Sequence, residues 1–255
     1  MTDTVLETDG LTKRFGELTA VDNVDLEVKA GEFRSVIGPN GAGKTTTFNL
    51  ITGALIPTEG AVLFNGEEIT TMPPHERVHR GVGRSFQITN VFGGLSVHEN
   101  VRLAAQSVHA DDISPQEAMF RNKNSFDDLT AKTDEILDQI GLRERADENA
   151  QTLAYGDQRR LEIGLVLATD PELVMLDEPT AGMSTEETQD TMDLINDVLS
   201  DQSLMLIEHD IDLVMRVSDR ITVLTRGQVL ASGTPEEIAA NEDVRDAYLG
   251  GARDE

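Results

Sequence analysis

The segment Gly38-Pro39-Asn40-Gly41-Ala42-Gly43-Lys44-Thr45 constrains this chain more than any other. Its three glycines let backbone N–H groups converge on one anion with no side chain in the way, and Lys and Thr follow at once. Such a loop needs a strand before it and a helix after it. Phe33–Ile37 reads as a short buried strand, and Lys44 to Thr52 reads as a helix closed by Gly53. The spacing therefore predicts a strand–loop–helix unit in an α/β sheet, with phosphate as its ligand. Gly38, Pro39, Asn40, Gly41, Ala42, Gly43, Lys44, Thr45 and Thr46 become candidate nucleotide contacts. Lys44 is placed to bridge the β- and γ-phosphates, and the Thr45 hydroxyl to ligate Mg2+.

A second segment completes this chemistry. Leu173-Val174-Met175-Leu176 is a buried-strand pattern that ends in Asp177-Glu178. An open α/β sheet binds its ligands at the carboxyl ends of its strands, so both carboxylates belong at that edge. Asp177 suits Mg2+ through water, and Glu178 suits a water-activating base, a contribution of about 10²–10⁴ in rate. An apolar run followed by two acids is weak evidence alone; beside the glycine loop it points to hydrolysis of a nucleoside triphosphate.

Three further places stay open on the residues themselves. His209, after the expected strand Ser203–Ile207, is either a structural hydrogen bonder or a third strand-end group at the same edge. Gln87 either ligates Mg2+ or caps a turn. Leu153-Ala154-Tyr155-Gly156-Asp157-Gln158 opens a helix, and by physics alone it is a plain helix start.

Along the chain, the first ninety residues mix antiparallel strand signals with the phosphate-loop unit. Val24–Val28 alternates, and Ala61–Phe64 with Glu67–Ile69 reads as a hairpin about Asn65-Gly66. Ser96 to about Leu167 is helical in texture, with 106–128 ambiguous. Strand and helix signals then alternate again. Ser184-x-x-Glu187 is a capping box, and Pro235 follows Thr234 at a helix start. The expected fold is α/β: a phosphate-loop core with a mixed sheet, an antiparallel β subdomain and an inserted helical subdomain. Residues 1–255 form one domain, with 1–87 and 168–255 as the core and 88–167 as the helical part.

Composition excludes several classes. There is no cysteine, hence no disulfide and no thiolate metal site. No stretch approaches the roughly 18 apolar residues of a membrane span, and Met1-Thr2-Asp3-Thr4 lacks the basic start of a leader. His75 and His79, with Glu76 and Arg77 around them, read as an exposed helix face. A net charge of −26 argues against nucleic-acid binding. Only five lysines stand with sixteen arginines against 47 acids. Such a surface suits high salt, where its self-repulsion is screened.

Glycine loop, Gln87, Leu153–Gln158, Asp177-Glu178 and His209 occur in the order found in the nucleotide-binding subunits of ABC transporters, which the chain resembles over nearly its whole length. The resemblance implies the ABC ATPase fold, with ATP and Mg2+ as cofactors. By that likeness Phe15 stacks on adenine, where tyrosine is commoner. Gln87 links Mg2+ to the transmembrane contact, and His209 touches the γ-phosphate. Leu153, Ala154, Tyr155, Gly156 and Asp157 stand where the family has Leu-Ser-Gly-Gly-Gln, and would cover ATP held by a partner subunit. The implied partners are transmembrane permease subunits, a second ABC ATPase subunit (identical or not) and, indirectly, a solute-binding protein. The implied location is the cytoplasmic face of the membrane.

Closer still, the chain is similar to the ATPases of branched-chain amino acid importers. Leu153-Ala154-Tyr155-Gly156 with Gln158–Ile163, Glu208-His209-Asp210, and the tail Gly233–Ile238 with Ala247–Gly250 carry that likeness. A urea or short-amide importer is the alternative within the family. An ABC ATPase of translation or DNA repair is the alternative outside transport, against which stand the single cassette and the lack of sustained heptads. Three departures stand out. Ala154 replaces a serine that would bond the γ-phosphate across the dimer, a loss of about 1.5–3 kcal/mol. Asp157 replaces glutamine, and Ser184 replaces aspartate.

Overall fold

The structure is a computed structural model that describes residues 4–84, 91–109 and 123–249. Its strands in chain order are β1 (Thr4–Phe15), β2 (Leu18–Lys29), β3 (Phe33–Ile37), β4 (Glu59–Phe64), β5 (Glu67–Glu68), β6 (Val82–Arg84), β7 (Leu173–Asp177), β8 (Ser203–Ile207), β9 (Arg220–Thr225) and β10 (Gln228–Gly233). The chain divides into two compact units. The first holds residues up to Arg77, Leu173–Glu178 and everything from Gln202 on; the second holds Val78–Glu172 and Pro179–Asp201.

In the first unit the strands run in the order β10-β9-β3-β8-β7. β3 is parallel to both β8 and β9, β7 is parallel to β8, and β9 and β10 form an antiparallel pair. Every residue of β3, β7 and β8 is buried, the polar Arg34, Ser35, Ser203 and Asp177 included, so these strands lack the alternation of a sheet with one wet face. The register aligns Val36 with Ile207 and Ile207 with Asp177, so three adjacent strands end level at one edge. Ile37, Val214, Ile221, Val223 and Ile238 are packed together beneath the helices Ile211–Val217 and Pro235–Ala240. The latter starts as expected, with a Thr234/Glu237 capping box and proline in its first turn.

A second, four-stranded antiparallel sheet, β2-β1-β4-β5, belongs to the same unit. β1 shifts register against both neighbours near Gly10, between Thr8 and Leu11 against β2 and between Asp9 and Thr12 against β4. That irregularity breaks the two-residue period, and no strand is legible there from the sequence.

One sequence expectation is corrected. In the short helix Pro74–His79, His75 and His79 are exposed, but Arg77 is only 1% exposed. Its guanidinium donates to the carbonyls of Leu50 (2.9 Å), Ile51 (2.5 Å), Thr70 (2.8 Å) and Met72 (2.9 Å). Leu50 and Ile51 end the helix Lys44–Ile51, whose last carbonyls have no partner within the helix. Arg77 supplies both donors and positive charge there, while burial pushes its pKa down to about 10.

The second unit is mainly helical: Val97–His109, Lys123–Gln139, Tyr155–Leu167 and Thr185–Val198, with β6 beside them. Val97, Val101, Leu137, Ile140 and Leu161 form its core. Gly164 lets Ile140 approach closely, since a Cβ there would lie 2.6 Å from the Ile140 Cδ1. Both arms of the Ser184/Glu187 capping box are present. Part of the ambiguous stretch 106–128 lies outside the described residues, as does Gln87.

Candidate nucleotide site

The phosphate loop starts where β3 ends. At Gly38 a Cβ would lie 2.2 Å from the carbonyl oxygen of Leu224 on β9, so only glycine lets the loop leave the sheet this closely. Gly43 has φ +101, and a Cβ on it would meet the carbonyl oxygen of Ala20 at 2.6 Å. Gly43 also caps the helix Lys44–Ile51, and it has no side chain with which to accept from the first-turn amides. Those donors and the positive end of the helix dipole are left for an anion. Lys44 is 6% exposed. Its ammonium donates to the carbonyls of Gly38 (2.7 Å) and Pro39 (3.3 Å), curled back over the loop. Burial lowers its pKa, and the nearby charges of Glu178 and Asp177 act in the opposite direction.

β7 delivers the carboxylates. Asp177 is its last residue and is 2% exposed. Glu178 takes φ +50, a left-handed conformation that costs a non-glycine residue about 1–3 kcal/mol. The turn is held from β8: the Glu178 amide donates to the carbonyl of Ile207 at 2.9 Å. Glu178 Oε1 and His209 Nε2 lie 2.7 Å apart. With the carboxylate ionised, the imidazole N–H is the donor.

These groups share one cavity of about 390 Å³, lined by Phe15, Leu18, Ala20, the loop from Asn40 to Thr46, Glu178 and His209. Gly38 and Pro39 adjoin it through their carbonyls to Lys44. Phe15 is half exposed at the end of β1, with the Lys13 ammonium 5.3 Å from its ring centre. Leu18 and Ala20 escaped the sequence reading. The signal was the apolar pair Phe15 and Leu18 flanking the turn Gly16-Glu17, both of them left exposed.

The cavity fits a nucleoside triphosphate. It offers open amides and a buried cation at one end and an exposed aromatic at the other. The Thr45 hydroxyl and Asp177 carboxylate are hard oxygen donors of the type Mg2+ takes alongside phosphate oxygens.

Leu153–Asp157 lies in the second unit. Leu153 is buried in its core, and Ala154 is the exposed N-cap of Tyr155–Leu167, with no side-chain oxygen to accept from the first turn. Gln158 Nε2 donates to the Leu153 carbonyl at 3.1 Å. Asp157 sits three residues into the helix start and accepts from Arg145 Nη1 at 2.8 Å, so its charge is met within the unit. Tyr155 is 45% exposed. Its hydroxyl donates to the carbonyl of Ala181 at 2.9 Å and accepts from Arg159 Nη2 at 3.1 Å.

A phosphate loop, strand-end carboxylates and a helical unit carrying its own polar helix start define an ABC-type ATPase. Residues 21–181 match the family model described as ABC transporter, and the chain belongs to that family as an ATP-hydrolysing subunit. Residues 228–254 match the model described as branched-chain amino acid ATP-binding cassette transporter. The chain is 44% identical to BraF of Pseudomonas aeruginosa, a high-affinity branched-chain amino acid transport ATP-binding protein, over 99% of this chain and 100% of the relative. It is 43% identical, over the same shares, to LivG of Escherichia coli, which bears the same description. Among solved structures, the ADP conformation of an ATP-binding cassette of an ABC transporter superposes with a TM-score of 0.81 at 30% identity, covering 97% of this chain and 99% of that one. No helix among the described residues is long and apolar enough to cross a membrane.

Proposed function

We propose that this chain is the ATPase subunit that powers import of branched-chain amino acids through a membrane permease, from the cytoplasmic face. The observation that carries the reading is the cavity in which the phosphate loop, Glu178 and His209 meet, in a chain that matches BraF and LivG from end to end. Lys44 and the loop amides hold the β- and γ-phosphates, and Phe15 stacks on adenine. Thr45 and Asp177, with Gln87, hold Mg2+, which supplies charge neutralisation on the phosphates when bound. Glu178 orients and deprotonates the attacking water. His209, hydrogen-bonded to it, faces the γ-phosphate. Water attacks the γ-phosphorus, the bond to the ADP oxygen breaks, and the proton passes to Glu178.

The cavity is partly open to solvent in one chain. The reading therefore includes a second ATPase subunit, whose counterpart of Leu153–Asp157 closes over the nucleotide and excludes bulk water. Gln87 and the helical unit carry that closure to the permease, and a solute-binding protein delivers the cargo. The acidic, lysine-poor composition supports a further element of the reading, a cytoplasm of high salt.

Reconstitution with permease subunits of a branched-chain amino acid importer tests the assignment. ATP hydrolysis is expected to rise when the solute-binding protein is loaded with leucine, isoleucine or valine. Stimulation by urea or short amides alone would overturn the choice of solute while leaving the ATPase intact.

A further inference from the structure

The polar network at the start of the helix Tyr155–Leu167 does more than shape that turn. Tyr155 stands at the position where the family pattern has glycine, and its hydroxyl reaches a segment 26 residues away. That segment, Pro179 to Ser184, follows directly on Glu178 and ends at the capping box of the next helix.

Stability is a poor account of this arrangement. The phenol is half exposed, where a hydrogen bond merely replaces one to water. Behind it, Arg159 Nη1 donates to Glu162 Oε2 at 2.6 Å, and the guanidinium lies 5.3 Å from the centre of the Tyr155 ring. Both residues of this pair are buried, yet Arg159 Nε and Glu162 Oε1 have no hydrogen-bond partner among the described residues. A half-satisfied buried ion pair is a net cost compared with apolar packing. What it delivers is direction. A planar guanidinium, fixed by Glu162 and lying over the ring, directs the phenol oxygen to the Ala181 carbonyl.

We propose that Tyr155 is a positioning residue that couples the two ATP sites of the ATPase dimer. The inference rests on the two-subunit reading above. Leu153–Asp157 attends the nucleotide on the partner's loop, whereas Ala181 lies three residues beyond Glu178, which attends the nucleotide on this chain's own loop. The Tyr155 hydroxyl ties the two within one subunit. A shift of Glu178 on hydrolysis is passed through Ala181 to the helix start that covers the other nucleotide.

Tyr155→Phe keeps the ring against Arg159 and removes only the hydroxyl. Three quantities are compared with wild type in the assembled ATPase dimer: amide hydrogen exchange over 179–184, the ATP dependence of hydrolysis and the melting temperature. The expected result is exchange over 179–184 faster by up to about tenfold, the worth of one hydrogen bond. The Hill coefficient for ATP should fall toward one, with the melting temperature little changed. Unchanged exchange, or wild-type cooperativity that survives the substitution, overturns the coupling alone. A wild-type chain that neither dimerises nor turns over with ATP overturns the two-subunit reading, and the coupling with it.

Discussion

At the scale of single residues, Glu178 bears the heaviest demands. It occupies a left-handed backbone conformation, bonds its amide to β8 and shares a 2.7 Å hydrogen bond with His209. Glu178→Gln keeps the side-chain length and an acceptor for the imidazole but removes the base. ATP binding is expected to survive while turnover falls by about 10²–10⁴, measured as nucleotide affinity against phosphate release. Normal turnover would remove Glu178 from that role. The same substitution deletes one of the two carboxylates that oppose the lowering of the Lys44 pKa by burial. The pKa then falls further, more of the amine is neutral at a given alkaline pH, and its acylation in the nucleotide-free protein should speed up. The local half of this site was legible in the sequence, because loop, cation and hydroxyl lie in consecutive residues. The pairing of Glu178 with His209 was not, because it depends on the register of β7 against β8 and joins residues 31 apart.

At the scale of elements, the helix Lys44–Ile51 is secured at both ends, with glycine open to an anion at its start and Arg77 on its final carbonyls. Arg77→Met fills the space but leaves buried carbonyls without donors. A loss of about 3 kcal/mol or more is expected, seen as a lower denaturation midpoint together with weaker ATP binding. Arg77 was misread because its short helix carries exposed histidines, and no local pattern shows that one side chain folds inward toward residues 50 and 51. The helix Tyr155–Leu167 has the opposite defect, an alanine at its N-cap. Ala154→Ser adds the missing acceptor and should stabilise the protein by about 0.5–2 kcal/mol in chemical denaturation. β7 and β8 were legible from their apolar residues and β3 from its place just before the glycine loop, whereas β1 was not, since its irregular pairing near Gly10 erases the alternation.

At the scale of the whole molecule, charge and topology dominate. With a net charge of −26, raising potassium chloride from about 0.1 M to 1 M shortens the screening length from roughly 10 Å to 3 Å. The melting temperature is expected to climb steadily over that range; a flat or falling profile would count against a high-salt adaptation. The division into two units is only coarsely visible in the sequence, since the change to helical texture marks a composition and not a boundary. One feature of the topology also bears on how the protein is made. β3, which launches the phosphate loop, is flanked by β8 and β9, and both of these neighbours are synthesised more than 160 residues later. Through most of translation that strand has neither of its lateral partners, and contacts of such long range form slowly. An incomplete nascent chain therefore leaves both edges of β3 unpaired until those partners emerge. The strand that launches the phosphate loop is flanked on both sides only once Arg220–Thr225 has been made, so a chain cut short before that point lacks the sheet that positions the loop.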